Sequence, residues 1–389
     1  MAEELTPPRW LEELVLKHGQ SKLDKAIHGE RLEPPEIESL FREIDFHVLS
    51  TVADYYARKV KNNRGSFVVN LYVSYTNICT TSCSFCAFYE PPTSPRSYVR
   101  SVGEIVGVTK AAYEKTGIRE VHVVGGNNPD IPYNYYLDLI SELRSISPSL
   151  ILKMFTAEEI WFISKNFGTS TKAILEDFKE KGLNVLSGGG TEILDEEVQL
   201  KIAPKKLAPQ EYLRIHEEAH KLGIKSNVII MYGHIEEPIN VARHLYRIRI
   251  LEEKAPGFIS LVLVRYNPGQ TPLSKTTLYR DKQYRYGVYD LKITALSRLV
   301  LLSYIDNIVA YWVAMGKKLA QAALEHGAND LGGTFYNEAV ISSARGSREY
   351  VDPEELSFML KVARWEPYER DTYYNYFPVK KTTSLPWMK

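Results

Sequence analysis

The chain has 389 residues, 44% hydrophobic and 25% charged, with 48 Lys plus Arg against 48 Asp plus Glu and a formal net charge of zero. That composition belongs to a folded protein with a sizeable core and excludes fibrous and intrinsically disordered classes. Balanced charge removes the broad positive field on which general nucleic-acid binders rely, although a local basic pocket stays open.

No apolar run approaches the ~18–20 residues of a bilayer span. The start, Met1-Ala2-Glu3-Glu4-Leu5, is acidic where a secretory signal is basic, so a cytoplasmic location is expected. At ~150 residues per domain the length allows two or three units, or one large α/β barrel of ~200–250 residues with an extension.

In chain order, residues 1–65 are expected to form an N-terminal helical extension. Pro34-Pro35 precedes a run from Glu36 to Lys59 with Ile37, Leu40, Phe41, Ile44, Val48 and Leu49 at helical spacing, and the polar stretch Lys59 to Gly65 is its stop. β-rich runs follow at Val68–Tyr75, Val121–Val124, Ile151–Phe155, Asn184–Leu186, Ser226–Tyr232, Phe258–Arg265, Ile308–Val313 and Asp330–Thr334. Between them lie amphipathic segments such as Ser101–Lys115, Tyr135–Ile146, Thr171–Lys181, Pro209–Leu222 and Val241–Lys254. Strand and helix in alternation imply a parallel sheet, since parallel neighbours need a crossover. Eight such pairs fit a (β/α)8 barrel of the TIM type over residues 66–350, its last two strands short. The segment Thr271–Arg285 reads as a long connection. Residues 351–389 are expected to form a C-terminal helix and an aromatic, proline-bearing tail packed on the barrel.

The three cysteines, Cys79, Cys83 and Cys86, lie within one short segment. An odd, clustered set builds no disulfide framework and fits a reducing compartment. The segment is a C-x3-C-x2-C pattern directly after the first strand, at the carboxyl-end face of a parallel barrel where reactive groups gather. An iron–sulfur cubane normally takes four thiolates, so three on one loop leave one iron open for a ligand. A structural zinc site wants four ligands and finds neither a fourth cysteine nor a histidine in the loop. Inert core cysteines usually scatter along a chain.

Other candidates sit at strand ends. Gly125-Gly126, after the second strand, lets backbone approach a ligand closely; a plain turn is the alternative. Ser187-Gly188-Gly189-Gly190-Thr191-Glu192 follows the fourth strand without dinucleotide-binding spacing, and Glu192 is either a ribose acceptor or a first-turn helix charge. On the fifth strand Asn227 and Ile229 share a face, with Gly233 and His234 at its exit, where an imidazole can act as acid, base or carboxylate partner. His216 reads as a solvated helix histidine. His122 shares the face of Val124 and is either a core histidine or a lower-layer ligand contact. Arg265 can clamp a substrate carboxylate or make a surface salt bridge.

C-x3-C-x2-C with Phe85 before the last cysteine resembles the radical S-adenosylmethionine (SAM) superfamily. The resemblance implies a [4Fe–4S] cluster on Cys79, Cys83 and Cys86, with SAM on the open iron cleaved to methionine and a 5′-deoxyadenosyl radical. It implies SAM contacts from Phe85, Gly125, Gly126, Glu192 and Gly233, a small-molecule carboxylate substrate near His234, Arg265 and Asn227, and an external electron donor of flavodoxin or ferredoxin type.

Further strings, Phe85–Tyr89, Gly188–Leu194, Met231–Glu236 and Gly327–Thr334, resemble the clade of the two radical enzymes of the futalosine route to menaquinone and the tyrosine-using subunit of deazaflavin (FO) synthase. Glu120–Gly126, Lys153–Ile160 and Ile224–Asn227 look most like aminofutalosine synthase, whereas Phe88–Pro92, Trp312–Gly316 and Glu366–Thr372 lean toward its relatives. Asn127-Asn128-Pro129-Asp130 departs from the family's Leu-His-Pro-Asp, and the sixth strand lacks the family's common proline; both alter the substrate-side surface.

Overall fold

The computed structural model describes residues 6–18, 21–282, 286–345 and 350–380. The acidic start at residues 1–5, the end of the connection at 283–285 and the end of the tail at 381–389 lie outside the described residues.

Four helices come first: α1 (Arg9–Lys17), α2 (Ser21–Ile27), α3 (Pro34–Glu43) and α4 (Phe46–Lys61). The continuous periodic run expected over Glu36 to Lys59 is therefore two helices. Asp45 divides them: its carboxylate accepts hydrogen bonds from the backbone N–H groups of His47 (2.8 Å) and Val48 (3.2 Å), which caps a new helix start. After α4, Asn62 and Asn63 take left-handed φ values of 51° and 55°, which asparagine tolerates better than most residues, and the chain turns directly into the sheet.

β1 (Arg64–Val68) and β2 (Asn70–Ser74) are two stretches of one strand bent at Val69. Around from β2 run β3 (Glu120–Val124), β4 (Ile151–Thr156), β5 (Val185–Ser187), β6 (Lys225–Tyr232), β7 (Phe258–Arg265), β8 (Ile308–Ala310) and β9 (Asp330–Gly333), each parallel to the next. β9 returns to β1, and a bridge between Leu71 and Tyr336 joins the rim of the curled sheet. Crossovers are α5 (Val102–Thr116), α6 (Tyr133–Ile146), α7 (Ala157–Phe167), α8 (Thr171–Lys181), α9 (Glu196–Ile202), α10 (Pro209–Lys221) and α11 (Pro238–Lys254). Then come α12 (Thr277–Arg280), α13 (Val288–Val300), α14 (Trp312–Met315), α15 (Lys317–Ala323), α16 (Val340–Arg345) and α17 (Pro353–Val362). The architecture is an α/β barrel of the TIM type, with every carboxyl-end loop on one face.

Two strands differ from expectation for visible reasons. The strand foreseen over Ile308–Val313 stops at Ala310, because Trp312 opens a helical turn and its indole N–H reaches the Gly333 carbonyl at 2.8 Å. β4 carries a bulge: Phe155 has φ 55° and the register slips between Met154 and Thr156. The slip sends the Phe155 ring outward against Tyr136 and Phe178 and turns Thr156 toward the lumen.

The tail does more than pack over the barrel. β10 (Glu366–Arg370) lies parallel to β1, from Arg64↔Glu366 to Val68↔Arg370, and β11 (Tyr376–Phe377) pairs antiparallel with it. β10 fills the gap opened at the amino end by the bend between β1 and β2. There the Arg370 guanidinium grips the Asp330 carboxylate through two hydrogen bonds of 2.7 and 2.9 Å, and Ser66 donates to the same carboxylate. Beside them Lys153 pairs with Glu120 at 2.8 Å, and Glu120 also accepts from Asn70 and Thr372. These charges form a buried, mutually neutralised floor.

Candidate active site

Above that floor lies a cavity of about 310 Å³ lined from nearly every strand. The alternation of strand side chains sets its walls: His122 and Val124 from β3; Asn227, Ile229 and Met231 from β6; Ser260, Val262 and Val264 from β7. Tyr72, Tyr311 and Phe335 add aromatic surface.

Cys79, Cys83 and Cys86 line the upper part of this cavity with Phe85. Their loop is held at both ends: Cys79 N–H donates to the Glu90 carbonyl (3.3 Å), Thr80 N–H to Asn127 (3.0 Å), and Cys86 N–H back to Cys83 (3.1 Å). Burial pushes the Cys83 and Cys86 thiols above their ordinary range. Thiol protons must therefore leave when a metal binds. Among the described residues no three His, Cys, Asp or Glu side chains converge on one point as a mononuclear site would require. All three thiols line the cavity, and a cluster takes one such ligand per iron.

Gly126 packs against this loop so closely that a Cβ there would meet the Ile78 carbonyl and lie 2.8 Å from Cys79 Cβ; a Cβ on Gly125 would lie 2.5 Å from the Tyr75 ring. Glycine at both positions lets the exit of β3 press against the Tyr75 ring and the cysteine loop, which fixes the place of the thiols. Three free thiols on one cavity-lining loop fit a cluster with one open corner.

Lys206 was not foreseen. It is nearly buried, 2.6 Å from Glu192 and 5.3 Å above the Phe85 ring, and it lines the cavity beside Cys83. Burial works against its charge, yet the Glu192 carboxylate holds it protonated above the ordinary lysine value. Glu192 thus stands at the cavity wall with one oxygen already engaged by Lys206. Glu158, raised by burial, accepts from Asn127 Nδ2 (2.8 Å) and Leu207 N–H (2.9 Å), tying the loops after β3 and α9 together. Glu159, pushed up to about 7 by burial, accepts from Tyr75 (2.8 Å), Gly125 N–H (3.0 Å) and Thr156 N–H (2.7 Å). The capping-box pattern Thr156-Ala157-Glu158-Glu159 was the readable signal for Glu159; a lysine between two loops has none.

Of the substrate-side candidates, Arg265 and Asn227 line the cavity. Arg265 lies over the Tyr286 ring at 4.5 Å, and its buried Nε is paired with the Asp290 carboxylate at 3.4 Å. Asn227 donates to Ser260 at 2.5 Å and leaves its side-chain oxygen buried and unpartnered among the described residues. His122 faces the lumen, 2.8 Å from Ser187 Oγ, with burial and the Lys153 charge depressing it to about 3.

His234 and Gly233 do not line the cavity. The chain exits β6 into a tight turn wrapped around the Glu236 carboxylate, which accepts from Gly233 N–H (2.6 Å) and His234 N–H (2.8 Å). The His234 ring is fully buried, with Nε2 3.0 Å from the Met231 carbonyl and Nδ1 3.3 Å from Glu236. The expectation of an imidazole at the barrel mouth is corrected: this histidine braces a turn. His216, expected in solvent, is fully buried and bonded to Ser226 at 2.9 Å.

A barrel with three thiols on the loop after its first strand, held by a glycine pair at the end of the next, defines a class, the cluster-bearing SAM enzymes. Residues 73–247 match the model of the Radical SAM superfamily, and residues 255–383 that of the CofH/MqnC C-terminal region. A 5-amino-6-(D-ribitylamino)uracil–L-tyrosine 4-hydroxyphenyl transferase of Methanosarcina mazei is 37% identical over 79% of this chain and 79% of its own. An aminodeoxyfutalosine synthase of Thermus thermophilus is 33% identical over 90% of this chain and 94% of its own.

The chain belongs to the radical SAM superfamily, in the branch that holds these two kinds of enzyme. Members use a [4Fe–4S] cluster and SAM, act on small molecules and need an electron donor. The fold agrees: methylornithine synthase aligns with a TM-score of 0.68 at 19% identity over 89% of this chain and 97% of its own. The FeFe-hydrogenase maturase HydG of Carboxydothermus hydrogenoformans gives 0.69 at 19% over 96% and 86%. No helix among the described residues is long and apolar enough to cross a membrane.

Proposed function

We propose that this radical SAM enzyme forms a carbon–carbon bond on an aromatic carboxylate, joining the adenosyl group of SAM to 3-[(1-carboxyvinyl)oxy]benzoate with release of methionine and loss of the enol-ether carboxylate, to give 6-amino-6-deoxyfutalosine in menaquinone biosynthesis. The observation that carries the reading is Arg265: a guanidinium that lines the cavity, anchored through Nε 3.4 Å from Asp290 and set among apolar walls wide enough for an aromatic ring. The match to aminodeoxyfutalosine synthase over nearly the whole of both chains supports it.

When bound, the cluster and SAM supply a 5′-deoxyadenosyl radical by one-electron cleavage. In this reading Cys79, Cys83 and Cys86 hold the cluster, Gly125 and Gly126 give the aminoacyl end of SAM access, and Phe85, Lys206 and Glu192 flank it. Ile229, Met231, Val262 and Val264 keep water from the reacting carbons. Arg265 turns one substrate carboxylate into a fixed handle through charge-assisted hydrogen bonds, with Asn227 and His122 as polar contacts deeper in the lumen. His234 and Gly233 take no part.

A second reading, tyrosine-using transfer to a ribitylaminouracil, is favoured by the 37% identical methanogen relative. One experiment separates them. Cluster-loaded protein is incubated without oxygen with SAM, dithionite and either the carboxyvinyl-oxybenzoate or L-tyrosine plus the uracil, followed by mass spectrometry. A nucleoside–benzoate adduct is expected from the first mixture. Free 5′-deoxyadenosine with a hydroxyphenyl-uracil product from the second, and no adduct from the first, would replace the first reading with the second.

A further inference from the structure

The loop that carries the three thiols is gripped by two separate segments. At the exit of β3 the Asn127 carbonyl accepts from both the N–H (3.0 Å) and the hydroxyl (3.1 Å) of Thr80, and the Asn127 amide donates to the Thr81 hydroxyl at 2.8 Å. At the end of α9 the Ile202 carbonyl accepts from the N–H (2.9 Å) and the hydroxyl (2.8 Å) of Ser84. Cys83 lies between the two grips.

Glu158 joins them. One of its oxygens accepts from the Asn127 amide at 2.8 Å and stands 3.4 Å from the Thr81 hydroxyl; the other accepts from Leu207 N–H at 2.9 Å. Leu207 follows shortly after Ile202, and Gln199 within α9 donates to its carbonyl, which braces that connection. The hydrogen bonds thus close a ring: from Thr80 and Thr81 to Asn127, to Glu158, through the 202–207 connection to Ser84, and back along the loop past Cys83. Thr81, Asn127 and Glu158 are buried, so water does not replace a bond lost among them. A leucine at 127, as in the family's Leu-His-Pro-Asp, has the same carbonyl but no amide. Through its side chain the departure at this position acts on the cysteine loop.

We propose that Asn127 and Glu158 are positioning residues for the cluster: they latch the thiol-bearing loop in its cluster-ready arrangement before any iron is bound. The inference rests on the cysteine loop holding the cluster and is independent of which substrate is used. Thiols on a loose loop are ordered by the metal at the expense of its affinity, whereas a closed ring has the ordering done by the fold.

The polarity of the central bond gives the test. Asn127→Asp sets two carboxylates face to face and opens the ring. Adding Glu158→Gln reverses the bond: the new side-chain amide donates to the new carboxylate, its oxygen still accepts from Leu207 N–H, and the net charge is that of wild type. Two rates are read on the full-length protein without oxygen, well below each variant's thermal midpoint. One is alkylation of buried Cys83 by iodoacetamide in the metal-free protein, followed by peptide mass spectrometry; the other is release of iron from loaded protein to a chelator. Asn127→Asp is expected to raise both at least about tenfold. Asn127→Asp/Glu158→Gln should return both to within about threefold of wild type. Asn127→Leu, which removes the amide without adding charge, should move both in the same direction by a smaller factor, and serves if the charged variant does not fold. A pair that only stabilises the fold would lower the thermal midpoint and leave both rates unchanged, which overturns the proposal, as does a double variant no slower than Asn127→Asp. Wild type that takes up no iron overturns the place of the cluster itself, a result distinct from these because alkylation is read without metal.

Discussion

The two ends of the barrel lumen bury polar groups in opposite ways. At the floor each charge has its partner: Arg370 with Asp330, Lys153 with Glu120, and the remaining oxygens satisfied by Ser66, Asn70 and Thr372. Toward the carboxyl end the groups are left unfinished. The three thiols are free, the Asn227 side-chain oxygen lacks a partner among the described residues, and Arg265 has only the 3.4 Å pair with Asp290. Buried polar groups without partners cost stability, so a fold tolerates them where something else is to bind. The floor is built to be finished by the chain itself, the upper lumen by ligands.

The sharpest break in this contrast comes from the thiols. Cys83→Ala should retain the fold, by circular dichroism, and lose detectable SAM cleavage; full turnover would remove the cluster from the loop altogether. At the floor the loss should appear in stability. Arg370→Met leaves Asp330 fully buried without its cation and is expected to cost about 3–5 kcal/mol in denaturant unfolding, most of it regained by Arg370→Met/Asp330→Leu. A single variant as stable as wild type would mean that the pair is not a finished unit.

Arg265→Gln returns to the upper end. Removing a charge-assisted contact worth about 1.5–3 kcal/mol should raise KM for the carboxylate substrate roughly tenfold to a hundredfold, with SAM binding unchanged. His234→Ala should behave like a floor residue despite its place after β6, losing about 1–3 kcal/mol of stability with KM intact.

The smallest effect concerns pH. Glu159 sits at about 7, above its ordinary 4.5, so the folded state holds a proton that the unfolded chain has released between those values. Its contribution to stability is full below about pH 4.5 and is lost as pH rises through 7. Glu159→Gln should flatten the stability profile over that window, and an unchanged slope would assign it elsewhere.

The strand–helix alternation and the cysteine spacing were legible because each is a local pattern with a physical period or a ligand count behind it. β7, expected at Phe258–Arg265, has those bounds in the structure. What escaped the sequence is what depends on distant segments meeting. Lys206 acquires meaning only beside Glu192 and Phe85, and Arg370 only beside Asp330. His234 misled for the same reason: a strand-end position suggests the mouth, but the Glu236 carboxylate two residues on gathers the backbone into a turn that points the ring inward. Asp45 was readable in principle, since an aspartate within an apolar periodic run is a helix-start signal.

The pairing of β10 with β1 joins Arg64 to Glu366, nearly the full span of the polypeptide. During synthesis, at ~5–20 residues per second, the first barrel strands wait on the ribosome for the last one. Until it emerges the tube is open below, with Asp330 and Glu120 facing solvent. A truncation that spares every thiol but removes this last strand leaves Asp330 without Arg370 and Glu120 without Thr372, a vessel without a bottom.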